Sequence, residues 1–512
     1  MQPGAQDGPT PVNILDLLAL GELEAIALAA PAQDSLSYRA LNDHLDAAVR
    51  ALGALGIGRG DRVALVLPNG PSLAVAFLAA AAAAVAAPLN PAYRAEEFDF
   101  YLRDLQIRAL IAPAGSASPA VTVAREQGIA VIELVEEPGG AAGAFLLRGE
   151  GKDPVAASRA QASDVALLLH TSGTTSRPKI VPLTHDNLCA SARHIVGTLQ
   201  LSGADRCLNV MPLFHIHGLV AGLLAPLAAG GSVFCPPGFS ALKFFGWLAE
   251  ARPSWYTAVP TMHQAILDRA ERNREIVEST SLRFIRSSSA SLPPQVIAQL
   301  EATFEAPVIE AYSMTEAAHQ MTSNPLPPEE RKPGSVGIAA GPEVTVLGDD
   351  GGPLPAGEVG EVAIRGPNVM AGYLNNPAAN AAAFTNGWFR TGDQGTLDTS
   401  GYLRITGRLK EIINRGGEKV SPREVDEVLL DHPAVALALT FALPHAKLGE
   451  EVAAAIVLKP GYSADEQAIR AYAAGRLADF KVPRRVVFVE QIPTGPTGKL
   501  QRIGLAQKLG MT

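Results

Sequence analysis

From Leu36 onward the chain alternates apolar runs with polar breaks carrying glycine or proline, and run length separates helices from strands. Ser37-Tyr38 followed by Ala40 to Leu55 predicts a helix, Arg62 to Leu67 a strand, and Ser72 to Ala87 a second helix. Ala109 to Ala112 and Ile129 to Leu134 predict strands, while Gly139 to Val155, rich in glycine, alanine and charge, reads as a linker. Val165 and Leu167 to Leu169 predict a buried strand that runs into a hydroxyl-rich loop. The alternation then resumes. Cys207 to Met211, Ser232 to Cys235, Trp255 to Val259, Phe284 to Ser287 and Val308 to Ala311 are strand-like. Between them His185 to Gln200, Leu219 to Ala229, Ala241 to Ala251, Thr261 to Arg272 and Pro294 to Phe304 are helix-like. Strands separated by helices of this length imply right-handed crossovers and parallel sheets. No fixed-period repeat is present.

Beyond Pro333 the texture changes to short β runs with Gly/Asp/Pro turns: Val344 to Leu347, the turn Asp349 to Gly352, Glu361 to Arg365 and Tyr402 to Ile405. From about Leu409 a compact α+β unit is expected. Its helices fall at Pro422 to Asp431 and Ala464 to Ala478, and its strands at Leu437 to Phe441, Ala453 to Leu458 and Val486 to Val489. The fold class is therefore α/β. Parallel-sheet βα subdomains and a β-rich subdomain make up a large N-terminal part, followed by a smaller α+β unit.

A length of 512 residues exceeds one core, so two or three domains are expected, and a 47% hydrophobic share suffices to fill them. The net charge of −9 argues against bulk binding of nucleic acid or membrane, so an anionic substrate needs a local cluster of cations and backbone donors. Cys189, Cys207 and Cys235 are odd in number and lack metal-ligand spacing, which suits buried, reduced thiols in the cytoplasm. Ser72 to Ala87 is 16 residues long and mostly alanine, too short and too weakly apolar for a membrane span. The first dozen residues, rich in glycine and proline, show no signal-peptide pattern, and the ending LGMT is not a peroxisomal address. A soluble, cytoplasmic protein is expected.

Candidate chemistry begins at the loop Thr171-Ser172-Gly173-Thr174-Thr175-Ser176-Arg177-Pro178-Lys179. Hydroxyls and backbone N–H groups donate to phosphate oxygens, Gly173 lets the backbone approach closely, and Lys179 supplies charge. The Walker A spacing fails, because Pro178 and Ile180 flank Lys179 where glycine and Ser/Thr are required.

This TSGTTSRPK stretch resembles the phosphate-binding signature of the adenylate-forming superfamily of acyl-CoA synthetases, luciferases and peptide-synthetase adenylation domains. The resemblance continues, in the expected order, at Tyr312 to Glu316, Thr391 to Asp393, Gly407 to Lys410, Gly416 to Glu418 and Pro496 to Lys499. It implies an N-terminal adenylation domain, residues 1–408 with 333–408 as its β-rich part. A mobile C-terminal domain, residues 409–512, would carry the catalytic lysine. Composition alone does not locate that boundary.

The implied reaction has two halves: a carboxylate attacks the α-phosphorus of ATP, and a thiol, coenzyme A, then displaces AMP. The resemblance assigns ATP binding to Thr171, Ser172, Gly173, Thr174, Thr175 and Lys179, and to Ser289, Ala290 and Ser291 beside the adenine. It adds Glu310, Ala311, Tyr312 and Thr315, with Asp393 and Arg408 at the ribose. Glu316 would hold Mg2+, which favours one or two carboxylates together with substrate phosphate oxygens. Lys499 would bridge the incoming carboxylate and the α-phosphate during adenylation only, acting with Thr315, Glu316 and His215 as the catalytic set. Lys410 would be the hinge, and Gly416 and Gly417 would face coenzyme A after rotation. Ile180 and Ser176 stand where relatives mostly carry glycine; neither removes a ligand, and both bear on nucleotide affinity.

For the acid, Met211 to Gly218, Arg286, the serines through Ser289, and Ala317 to His319 indicate a small polar pocket rather than a fatty-acid tunnel. His215, Arg286, Ser289 and His319 are the candidate acid ligands, since a second carboxylate calls for charged donors. These stretches look most like the oxalate–CoA ligases. The alternatives are a malonate or medium-chain acid ligase, an adenylation enzyme loading a carrier protein, or a catalytically dead nucleotide-binding regulator. The complete set Lys499, Glu316, Asp393 and Arg408 argues against the last. No feature of the chain sets its oligomeric state.

Overall fold

The computed structural model describes residues 13–150, 153–156, 159–171, 178–493 and 500–511. Two large sheets form its frame. One has seven strands in the order Phe145–Arg148, Ala130–Glu136, Ala109–Pro113, Arg62–Leu65, Val85–Pro88, Val165–Thr171, Lys179–Thr184. Its inner strands are parallel and both edge strands antiparallel. The other has nine strands, with a parallel centre of Val308–Met314, Phe284–Ser288, Trp255–Ala258, Arg206–Asn209, Ser232–Phe234 and Ile26–Ala29. One apolar core takes Leu167 and Leu183 from the first sheet and Trp255 and Ile309 from the second. It also takes side chains from helices Pro71–Ala83 and His185–Thr198.

An antiparallel sheet of Glu343–Leu347, Gly360–Arg365, Trp388–Leu397, Phe384–Thr385 and Leu403–Arg408 follows, as its turn-rich sequence implies. The last sheet joins Glu418–Val420, Ile413–Arg415, Gly449–Leu458, Val435–His445 and Arg485–Phe488, and is filled by its own apolar clusters. The α/β class read from the sequence is the class observed.

Several elements differ from expectation for definable reasons. The helix expected over Ser72 to Ala87 spans Pro71–Ala83, and Val85–Pro88 is a strand in the middle of the seven-stranded sheet. Leu73 to Ala83 are all buried, so no polar stripe marks where the helical period ends. The expected linker Gly139 to Val155 contains the edge strand Phe145–Arg148, paired in register with Ala130–Glu136. Leu219 to Ala229 is a π-helix, His217–Leu224, followed by the short α-helix Ala225–Ala228. The helix expected over Ala464 to Ala478 is confined to Glu466–Ala474. Among the described residues, no helix is long and apolar enough to cross a membrane.

Candidate active site

Parallel strands deliver their carboxyl ends to a common edge, where open α/β sheets hold ligands. Strand Val165–Thr171 ends at the first residue of the expected phosphate loop. Ser172, Gly173, Thr174 and Thr175 lie outside the described residues, as does Lys499. Lys179 opens the return strand Lys179–Thr184, with Thr171 directly opposite it in the antiparallel pairing. From the nine-stranded sheet, Phe284–Ser288 ends at Ser289, held at φ +73°, and Val308–Met314 runs into the turn Thr315–Ala317. Ala290 and Ser291 continue outward on the surface.

Asp393 and Arg408, assigned to the ribose by resemblance, are cross-strand neighbours on the β-rich sheet. Arg408 Nε donates to Asp393 Oδ1 at 2.8 Å, and the Tyr312 hydroxyl donates to Oδ2. The carboxylate raises the Arg408 pKa, whereas burial is the main cause that raises Tyr312. This bond pins the ring of Tyr312, one of the residues that the resemblance assigns to ATP.

Glu316 is buried, and the Tyr373 hydroxyl donates to its Oε1 at 2.9 Å. Burial raises its pKa, while Tyr373, Arg408 and Lys179 pull the other way. The Lys179 ammonium stands 4.3 Å above the centre of the Tyr373 ring. Burial lowers the Lys179 pKa, the Glu316 charge raises it, and the Lys410 charge lowers it. Tyr373 holds one oxygen of this buried carboxylate, and Mg2+ takes one or two such groups together with substrate phosphate oxygens. Lys410 itself is exposed, on the turn Leu409–Glu411.

A second polar cluster lies behind Ser289. His217 Nδ1 bonds Ser289 Oγ at 3.1 Å, and its Nε2 bonds Thr257 Oγ1 at 2.6 Å. Arg286 is fully buried, with Nη1 3.5 Å from His217 Nε2 and Nη2 donating to Gln320 Oε1 at 3.3 Å. Among the described residues no carboxylate pairs with this guanidinium, and its Nε has no hydrogen-bond partner. Burial pushes its pKa down to about 10. The His319 ring stacks on His217 with centres 4.8 Å apart. Three of the four expected acid ligands therefore gather here. The fourth, His215, sits beside the cluster, its Nδ1 accepting from the His217 backbone N–H at 3.3 Å.

Glu310 is buried on the neighbouring strand, and burial pushes its pKa up from 4.5 to about 8. A Gly334 N–H and the Arg423 charge oppose the shift, while Glu427 reinforces it. Between pH 4.5 and about 8 the folded chain holds a proton that the unfolded chain has released. Stability from this group is therefore full below pH 4.5 and lost as pH rises to about 8. Glu310→Gln stays neutral throughout, so its melting temperature should gain on wild type as pH is raised across that window. A constant offset between the two melting curves would show that Glu310 does not titrate there.

Gly416 and Gly417, with φ of +61° and +97°, form the turn of a C-terminal hairpin, conformations that glycine adopts without strain. No hydrogen bond or ion pair among the described residues links them to the clusters above. Sequence reasoning also passed over Tyr373, Thr257, Gln320 and Arg502. Thr257 sits in register with Arg286, and Gln320 follows His319, so both lay next to residues already singled out. Arg502 donates to Glu411 Oε2 at 3.1 Å and Asp426 Oδ2 at 2.9 Å, and to the Thr440 carbonyl. It ties the segment just after Lys499 to the expected hinge turn.

The AMP-binding enzyme family matches residues 19–374, and the AMP-binding enzyme C-terminal domain matches residues 424–499. The chain belongs to the AMP-binding enzyme family. This AMP-binding enzyme is 48% identical over 475 residues to a probable CoA ligase, CCL9, of Humulus lupulus, covering 91% of this chain and 90% of that protein. It is 45% identical over 510 residues to an oxalate–CoA ligase of Arabidopsis thaliana, covering 98% and 99%. ATP-bound MatB from Rhodopseudomonas palustris superposes with a TM-score of 0.87 at 30% identity, covering 97% and 98%.

Proposed function

We propose that this AMP-binding enzyme is an AMP-forming acid–CoA ligase converting oxalate, ATP and coenzyme A to oxalyl-CoA, AMP and pyrophosphate. The observation that carries the acid is Arg286. A guanidinium buried to 0% exposure with no carboxylate among its described partners stands ready for an anion, and His217 and His319 supply further polar edges. A fatty acid would bring methylenes into that cluster and leave the cation without a partner. Oxalate brings a second carboxylate.

In the first half-reaction an acid oxygen attacks the α-phosphorus and the bond to pyrophosphate breaks. An anion meets a polyanion, so positioning and charge neutralisation do most of the work. Lys179 and the phosphate loop take the triphosphate, and Asp393 takes the ribose. Glu316 would hold Mg2+, and Lys499 would bridge the two reacting groups. In the second half the thiol sulfur of coenzyme A attacks the acyl carbon and the bond to AMP breaks. We place the domain boundary at Arg408 and the hinge at Lys410, with Gly416 and Gly417 turned toward the thiol for that step. Three buried, unpaired cysteines suit a reducing compartment, and we assign the enzyme to the cytoplasm.

The test is pyrophosphate release with oxalate, malonate, acetate and octanoate, comparing coenzyme A and a carrier protein as acceptors. Oxalate with coenzyme A should give the highest kcat/KM. If octanoate wins, the polar pocket is misread. If only the carrier protein is loaded, the acceptor is.

A further inference from the structure

Lys179 and Glu316 come from different sheets, and the segment Gly366 to Leu374 joins them. Its Asn368 side chain donates to the carbonyls of Ala317 and Gln320 at 2.8 and 2.9 Å. The Met370 N–H donates to the Glu316 carbonyl at 2.8 Å, and the Leu374 N–H to the Ile180 carbonyl at 3.0 Å. Asn187 donates from the side to the carbonyls of Pro367 and Val369 at 2.8 and 3.2 Å. Tyr373 is fixed within this strap by Asn380, which accepts from its N–H at 2.7 Å and donates to its carbonyl at 3.0 Å. The side chain thus has little freedom. Its hydroxyl reaches Glu316 and its ring lies under Lys179.

We propose that Tyr373 is a positioning residue of the adenylation half-reaction, holding Glu316 by its hydroxyl and Lys179 by its ring so that both meet one triphosphate. The inference rests on the ligase reading above. A lysine has a long flexible stem, and an aromatic face under its ammonium restricts where the charge sits. A buried carboxylate that would carry a divalent cation needs its plane set, and a hydroxyl at one oxygen does that. One residue serving both would couple nucleotide charge recognition to metal placement. The plainer role is packing, since the ring also meets Phe389 edge-on with centres 6.5 Å apart.

Tyr373→Phe and Tyr373→Leu separate these roles in the full-length enzyme. Readouts are ATP binding with and without Mg2+, kcat and KM for pyrophosphate release, and melting temperature. Tyr373→Phe keeps the ring, so metal-free ATP affinity should stay within about twofold of wild type. Its Mg2+ requirement should rise, and its kcat fall, by about tenfold, a typical loss for an outer partner of a metal ligand. Tyr373→Leu should show the same Mg2+ defect and also weaken metal-free ATP binding, by about three- to tenfold. If Tyr373→Phe matches wild type in Mg2+ requirement and kcat, and Tyr373→Leu changes only the melting temperature, the side chain is packing and the inference is wrong. A wild-type chain that binds no ATP would instead overturn the ligase reading beneath it.

Discussion

Arg286→Met should lower kcat/KM for oxalate by about 10²–10⁴-fold while leaving the melting temperature nearly unchanged. The two expectations point in different directions, which makes the test sharp. On the functional side, oxalate has no carbon chain to bury, so its binding rests on charge-assisted hydrogen bonds of about 1.5–3 kcal/mol each. Two such bonds lost from one guanidinium amount to roughly two to four factors of ten. On the stability side, this guanidinium is fully buried with no carboxylate among its described partners, so taking it out relieves a desolvation cost. Gln320 Oε1 then loses its donor, at about 1–3 kcal/mol, and the two terms roughly offset. Methionine follows the same path through the core without a charge. Activity on acetate, weak from the start, should change little because acetate has no second carboxylate. If the melting temperature collapses and every acid suffers alike, Arg286 is a scaffold residue and oxalate is recognised elsewhere.

Lys499→Ala should lower adenylate formation by about 10²–10³-fold and leave thioester formation from supplied oxalyl-adenylate within a few-fold of wild type. Adenylation asks one cation to set a carboxylate against the α-phosphate, and thioester formation makes no such demand. The contacts of Arg502, three residues further on, give this separation a physical basis. Arg502 joins Glu411, beside the expected hinge residue, to Asp426 on helix Pro422–Leu430, so the described segment after Lys499 is anchored to the C-terminal unit. A rotation at Lys410 would therefore carry the lysine with it. Single-turnover assays of the two half-reactions decide the matter. Equal losses in both would contradict a lysine that serves one step and leaves for the other.

Both predictions concern residues picked out from sequence, yet the sequence and the structure contribute differently to each. Lys499 is legible because it sits in a short local pattern, Pro496 to Lys499, whose order along the chain matches a family. Arg286 is legible as a charged donor for a second carboxylate, beside the serines that follow it. Its significance depends on what surrounds it, and those partners, His217 and Gln320, come from separate stretches of the chain. The separate places of His215 and His217 have the same origin. Two residues apart, both were plausible, and the π-helix beginning at His217 decides which ring reaches Thr257 and Ser289.

By itself the sequence determined the α/β class and most of the strands and helices, because periodicity and loop composition are local properties, while its nucleotide motifs were legible through their resemblance to a family. It left undetermined where Pro71–Ala83 gives way to the strand Val85–Pro88, since burial on every side removes the polar residues that would mark the change. Only the tertiary structure decided that Tyr373 stands between Lys179 and Glu316, that Arg286 lacks a carboxylate partner among the described residues, and that Glu310 is buried deeply enough to hold its proton near neutrality. Each depends on side chains brought together from distant positions, and the free energy of a buried charge is set by those neighbours rather than by the residues beside it in the chain.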